Sequence, residues 1–151
     1  MSSLERGPFG EEDEAISLCR EQAFLGTFRV RVDNVTLPMF SARELQHVKR
    51  LEEIFQVQGC FRLDPRNRAE ATIDSSTWRT VSARSSLEAL SHRVPTELHI
   101  GTDETLSCFS GKCRLAAARG VLDGLDRWWP VSIYREGKLD NAAKFSFLTS
   151  H

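Results

Sequence analysis

Long apolar runs are missing from this chain: no stretch approaches the ~18 consecutive apolar residues that a membrane-spanning helix needs. A basic excess is missing too. Twenty Lys and Arg stand against 21 Asp and Glu, a formal net charge of −1, whereas dedicated nucleic-acid binders usually carry a marked positive balance. The first residues are polar and acidic without an apolar segment, unlike a secretory signal. The four cysteines, Cys19, Cys60, Cys108 and Cys113, show neither C-x-x-C spacing nor a regular framework. Reduced thiols in an intracellular setting, cytoplasmic or nuclear, are therefore expected rather than disulfides. Cys108, Cys113 and His99 lack a fourth ligand at finger-like spacing, so no metal site is expected. Internal repeats and low-complexity blocks are absent.

What is there is an ordinary globular composition, 40% hydrophobic and 27% charged over 151 residues, enough for one domain. Charge is distributed unevenly. Residues 1–25 carry a net −4, residues 26–93 a net +3, and the remainder is balanced. The expected organisation is an acidic N-terminal segment (1–25, with a short helix near 13–24), a folded domain (26–135) and a tail (136–151).

Residues 27–33 alternate Phe28, Val30 and Val32 with Arg29 and Arg31, which predicts a half-buried strand. The best-specified helix spans 40–59. Ser41 and Glu44 form a capping box, Phe40 and Leu45 stand at staple spacing, and Gly59 supplies the stop. Leu45, Val48, Leu51, Ile54 and Phe55 make an apolar stripe expected to be core, and His47 reads as a surface residue. A second strand is expected over 70–74. Residues 75–94 read as a linker with a weak helix near 85–90, and Trp78 as cover for one core edge. Strands at 97–100 and 105–109, a helix over 111–123 stopped by Gly124, and a strand over 131–135 follow. Pro130 suggests the first residue of that strand or an edge position. The expected fold class is α+β: one small domain, a mixed sheet packed by two main helices.

The chemistry concentrates at Ser110, Gly111, Lys112, Cys113 and Arg114. A glycine turn from strand to helix exposes bare backbone, and the helix start offers unpaired N–H groups and partial positive charge to an anion. Lys112 and Arg114 strengthen that offer, so a phosphate- or nucleotide-sized anion is expected there. A place in the first helical turn can also lower a thiol's pKa, which makes Cys113 a candidate reactive thiol beside its plainer reading as a small packed residue. A second candidate anion-binding loop holds Arg62, Asp64, Arg66 and Asn67, with Arg68 beside them. Asp64, Asp103 and Glu104 are the carboxylates available for metal or base chemistry, and none stands at a spacing that fixes such a role.

Three segments together resemble the ParB/sulfiredoxin superfamily, and more specifically a fungal family of unknown function built on that core and carried as accessory genes in giant mobile elements of the Starship type. They are Phe55 with Gly59-Cys60-Phe61-Arg62-Leu63-Asp64-Pro65-Arg66-Asn67, then Gly111-Lys112-Cys113-Arg114-Leu115-Ala116-Ala117-Ala118-Arg119, then Asp126-Arg127-Trp128-Trp129-Pro130-Val131-Ser132-Ile133-Tyr134. The resemblance covers about residues 43–134. It implies a nucleotide-phosphate cradle at the helix after Gly111, with Arg114 as the phosphate-contacting arginine and CTP or ATP with magnesium as the ligand. Two departures stand out. Cys113 occupies the place where the fungal family usually has histidine, and Lys112 the place of the sulfiredoxin nucleophilic cysteine, so Cys113 does not inherit that role. The family's longer members continue past Tyr134, so a truncated or stand-alone copy is expected.

The resulting functional expectation is an uncharacterised domain that binds a nucleotide or phosphate. If it is catalytic, the reaction would be nucleotide-dependent phosphoryl transfer or hydrolysis. The alternatives are a nucleic-acid-associated module using Arg62, Arg66 and Arg68, or a degenerate interaction domain. In the last case Arg114 would be satisfied by an internal carboxylate.

Overall fold

The computed structural model describes residues 21–85 and 95–137. The expected helix at 85–90, most of the acidic segment and nearly all of the tail lie outside the described residues. After a helical turn at 21–23, the order is β1 (Phe24–Arg31), a 3-10 turn (Val32–Asn34), β2 (Val35–Thr36), α1 (Ala42–Gln58), a 3-10 turn (Pro65–Asn67), β3 (Ala69–Ile73), α2 (Ser75–Arg84), β4 (Leu106–Ser110), α3 (Lys112–Val121), a 3-10 turn (Gly124–Asp126) and β5 (Trp128–Arg135). One five-stranded mixed sheet runs β1-β5-β3-β4-β2. β1/β5 and β3/β4 are antiparallel, and β3/β5 and β2/β4 are parallel. The fold is thus a small α+β domain.

Alternation in β1 and continuous apolar sequence in β5 place the core between sheet and helices. Phe28, Val30, Ala69, Ala71, Ile73, Leu106, Leu115, Ala118, Val131 and Ile133 are all buried there. Trp129 is 0% exposed. Its ring stacks on Phe55 of α1 with centroids 5.6 Å apart, and its indole N–H donates to the Asn67 carbonyl at 2.8 Å. One side chain thus joins helix, sheet and the turn before β3.

Several elements differ from the sequence expectation, each for a physical reason. The α1 capping box is present, with Ser41 N to Glu44 Oε1 at 2.8 Å and Glu44 N to Ser41 Oγ at 3.1 Å. Of the stripe, however, only Val48 is buried, and Leu45 is 52% exposed. The helix meets the core along a line of contact rather than a full face. The expected linker begins with a real helix, α2. Asp74 caps it, accepting from Thr77 N at 2.7 Å, Ser76 Oγ at 2.7 Å and Thr77 Oγ1 at 2.8 Å. Val81 and Trp78 dock it, Trp78 lying 5.8 Å from the Phe28 ring. Residues 97–100 form no strand. Glu97 makes an isolated bridge to Arg29, whose N–H and carbonyl bond to Thr96 O and Leu98 N.

Pro130 is neither the first residue of its strand nor at an edge, being third in β5, which lies between β1 and β3. Its partner Arg29 turns its backbone groups toward 96–98, so no β1 bond is asked of the proline. On the other side β3 begins pairing only at Ala69 opposite Val131. The missing donor therefore falls where neither neighbour needs it. α3 ends at Val121, before Gly124. Its last carbonyls, those of Arg119 and Leu122, accept from Arg127 Nη1 at 2.7 and 2.8 Å, so a guanidinium rather than glycine closes the helix.

Trp129→Phe keeps the stack on Phe55 and loses the bond to Asn67. Leaving that carbonyl unpaired should lower stability by about 1–3 kcal/mol. In urea unfolding this appears as a lower midpoint at unchanged slope.

Candidate functional site

The site is built where β4 hands over to α3. Gly111 takes φ 85 and caps α3 without a side-chain hydrogen bond. A Cβ at this position would lie 2.9 Å from the Ala69 Cα, so glycine is required both for the left-handed turn and for the close approach of β3. The first N–H groups of α3 have no capping side chain to meet them, which leaves them available to an anion. They open onto a cleft of 580 Å3 lined by Ser110, Gly111, Lys112, Cys113 and Arg114, with Cys108 and Phe109 from β4, Glu44 and His47 from α1, and Pro38.

The five candidate residues are brought together at this cleft, but they are not equivalent. Ser110 is 6% exposed, and its Oγ has no hydrogen-bond partner. Such a group is expensive to leave unsatisfied. Arg114 is half-buried, and no hydrogen bond or ion pair to its guanidinium exists among the described residues. Among the described residues, no carboxylate takes the place that a degenerate domain would give it beside Arg114. Lys112, by contrast, is engaged. Its Nζ lies 2.8 Å from Glu44 Oε2, donates to the Met39 carbonyl at 2.7 Å, and sits 5.0 Å from the Phe40 ring centroid. The Lys112 bond, followed by the Ser41 cap, holds the Glu44 carboxyl down at about 2. The Cys113 thiol is pushed up, first by burial and then by Glu44, and this opposes the reactive-thiol reading. Its Sγ faces the Glu44 carbonyl at 4.0 Å.

The residues of the second candidate loop do not line this cleft and are largely satisfied by other protein groups. Arg62 Nη2 pairs with Asp126 Oδ1 at 2.6 Å, and Nη1 donates to the Asp126 and Trp128 carbonyls at 2.8 and 3.1 Å. The Arg62 guanidinium also lies 3.5 Å from the Trp128 ring centroid. Arg66 is exposed and pairs with Asp64 at 2.7 Å, which holds the Asp64 carboxyl at about 2. Phe61 adopts a left-handed φ of 49, its carbonyl accepting from Asn67 Nδ2 at 3.0 Å and Asp64 N at 3.1 Å. Glu104 is bound to Arg84 at 2.7 Å and to Gly101 N at 2.6 Å. Neither Asp64, Asp103 nor Glu104 lines the cleft.

Sequence reading missed Glu44 and His47 as cleft residues. The capping box located Glu44 on its helix, but its second oxygen meets Lys112 only because α1 packs on α3. Among the described residues no group of three or more His, Cys, Asp or Glu could hold a metal, and no helix is long and apolar enough to cross a membrane.

Because the Glu44 carboxyl titrates below its usual 4.5, the ionised form contributes stability above pH 4.5, and that contribution is lost as pH falls toward about 2. Urea midpoints between pH 6 and 2 should therefore fall more in the wild type than in Glu44→Gln, which has no carboxyl to titrate. Equal pH slopes would contradict the tether.

No curated protein and no solved structure matches this chain. A family model does match, over residues 23–151, and its description is "Protein of unknown function (DUF3723) N-terminal domain". Since that span takes in most of the sequence, the chain belongs to the DUF3723 N-terminal domain family.

Proposed function

We propose that this domain binds the phosphate group of a nucleotide-sized ligand in the cleft at the start of α3. The observation that supports the reading is that Arg114, whose guanidinium has no hydrogen bond or ion pair among the described residues, lines one cleft with Ser110, whose buried hydroxyl has no partner there, beside an uncapped helix start. Each element alone is common. Together they offer a charge and backbone N–H groups to one anion, with the Ser110 hydroxyl buried behind them.

Magnitudes decide what kind of ligand this suits. A helix start is worth ~0.3–1 kcal/mol to an anion, and a charge-assisted hydrogen bond roughly 1.5–3. Their sum corresponds to dissociation constants on the order of millimolar or weaker for a bare phosphate. Useful affinity needs further contacts, and a cleft of 580 Å3 lies within the ~300–1,000 Å3 typical of small-molecule sites. The ParB/sulfiredoxin resemblance of the Gly111–Arg114 segment favours CTP or ATP. Magnesium would be carried in by the nucleotide's own phosphates, since Glu44 is the sole carboxylate lining the cleft among the described residues.

The nucleic-acid alternative is the weaker one, because Arg62 is spent on Asp126 and Trp128 and Arg66 on Asp64.

Thermal unfolding with CTP, ATP and GTP, each with magnesium, tests the reading. At a hundred times its dissociation constant, the right nucleotide should raise the midpoint by roughly 5–10 °C, and Arg114→Ala should abolish the rise. No shift with any nucleotide would overturn the proposal.

A further inference from the structure

We infer that the Lys112–Glu44 contact is an autoinhibitory latch on this cleft, opened when an anion draws Lys112 away from α1. The inference rests on the phosphate reading above and concerns how that site is regulated. The geometry is that of a shared cation. Lys112 is the first residue of α3, so an anion seated on the helix start would lie within its natural reach. Its Nζ is instead held by Glu44 Oε2 at 2.8 Å and by the Met39 carbonyl at 2.7 Å, both on the α1 side of the cleft. Glu44 therefore withholds one of the two cleft lysine and arginine charges and sets a negative charge beside the place where the ligand's own would come.

The same carboxylate has a second duty that makes the contact a device rather than a surface pair. Its other oxygen accepts from Ser41 N at 2.8 Å, so the capping box of α1 and the first residue of the anion site share one side chain. When Lys112 turns to a ligand, the Met39 carbonyl loses its donor while the cap on Ser41 remains. The segment between β2 and α1 is then held by Leu37 against the core and by the Ser41 cap alone. It carries Met39, 93% exposed, and Pro38, which lines the cleft. Ligand binding is thereby coupled to release of the cleft's own rim.

Glu44→Gln separates the two duties, since glutamine retains an acceptor for the capping box but carries no charge to hold Lys112. Tripolyphosphate without magnesium is the probe, titrated calorimetrically into wild type, Glu44→Gln, Lys112→Met and the double variant. Exposed ion pairs are worth ~0.2–1 kcal/mol, so Glu44→Gln should bind about 1.4- to fivefold more tightly than wild type. In the Lys112→Met background the gain should shrink, because only the direct repulsion between carboxylate and anion is left to relieve. Amide hydrogen exchange should quicken at Met39 and Phe40 on binding to the wild type. Equal or weaker binding by Glu44→Gln, with the wild type binding, would overturn the latch and leave the anion site standing. So would a gain that is undiminished in Lys112→Met. If neither the wild type nor Glu44→Gln binds, the site reading itself falls and the latch with it.

Discussion

The backbone of Gly111 lies against the backbone of Ala69, and much of the molecule follows from that contact. A Cβ in between would come within 2.9 Å of the Ala69 Cα. Only glycine lets β4 end, turn left-handed and begin α3 at the level where β3 starts. That height fixes where the first N–H groups of α3 emerge. It also fixes where α1, packed along α3, presents Glu44 and His47 to the same opening. The candidate site is thus a consequence of how a strand, a glycine and two helices share one corner, rather than a loop added to a finished fold.

Arginine serves two purposes in this domain, and the partners tell them apart. Arg119 donates to the Val32 and Val35 carbonyls. Arg127 joins Asp33 to the last turn of α3, and Arg62 fastens the loop after α1 to the start of β5. These guanidiniums satisfy carbonyls that turns and helix ends leave open, which is how a chain with 3-10 turns before β2, β3 and β5 keeps its backbone paired. Arg114 has no such employment among the described residues. Its position at a cleft, beside a buried hydroxyl without a partner, distinguishes it from the others.

The elements that were legible in the sequence are those specified locally. The capping box at Ser41 and Glu44, the glycine before Lys112 and the alternation around Phe28 and Val30 each state their structure within a few residues. What sequence could not supply was set by distant partners. α2 looked like linker because its first residues are serine and threonine; its Asp74 cap is local, but the core that takes in Val81 and the Phe28 ring that meets Trp78 are not. Pro130 looked like a first or edge residue because the displaced pairing of Arg29 with residues 96–98 cannot be read from the strand itself. The stripe on α1 over-promised burial, since amphipathic spacing fixes which residues share a face but not how much of that face is covered. At the site, Ser110, Gly111, Lys112, Cys113 and Arg114 are contiguous and easily read together. Glu44, sixty-odd residues away, joins them only through helix packing. The likeness of Arg62 to a phosphate ligand faded once Asp126 and Trp128 were in place around it.

The most direct test is an amide-resolved NMR titration of the protein with inorganic phosphate and then tripolyphosphate, a method that registers binding even at millimolar affinity. Saturable shifts should concentrate at the backbone amides of residues 111–114 and in neighbouring Ser110. Tripolyphosphate should act at lower concentration than phosphate, and the loop around Arg66 should stay still. Shifts centred on that loop, or none at residues 110–114 at any concentration, would contradict an anion site at the start of α3.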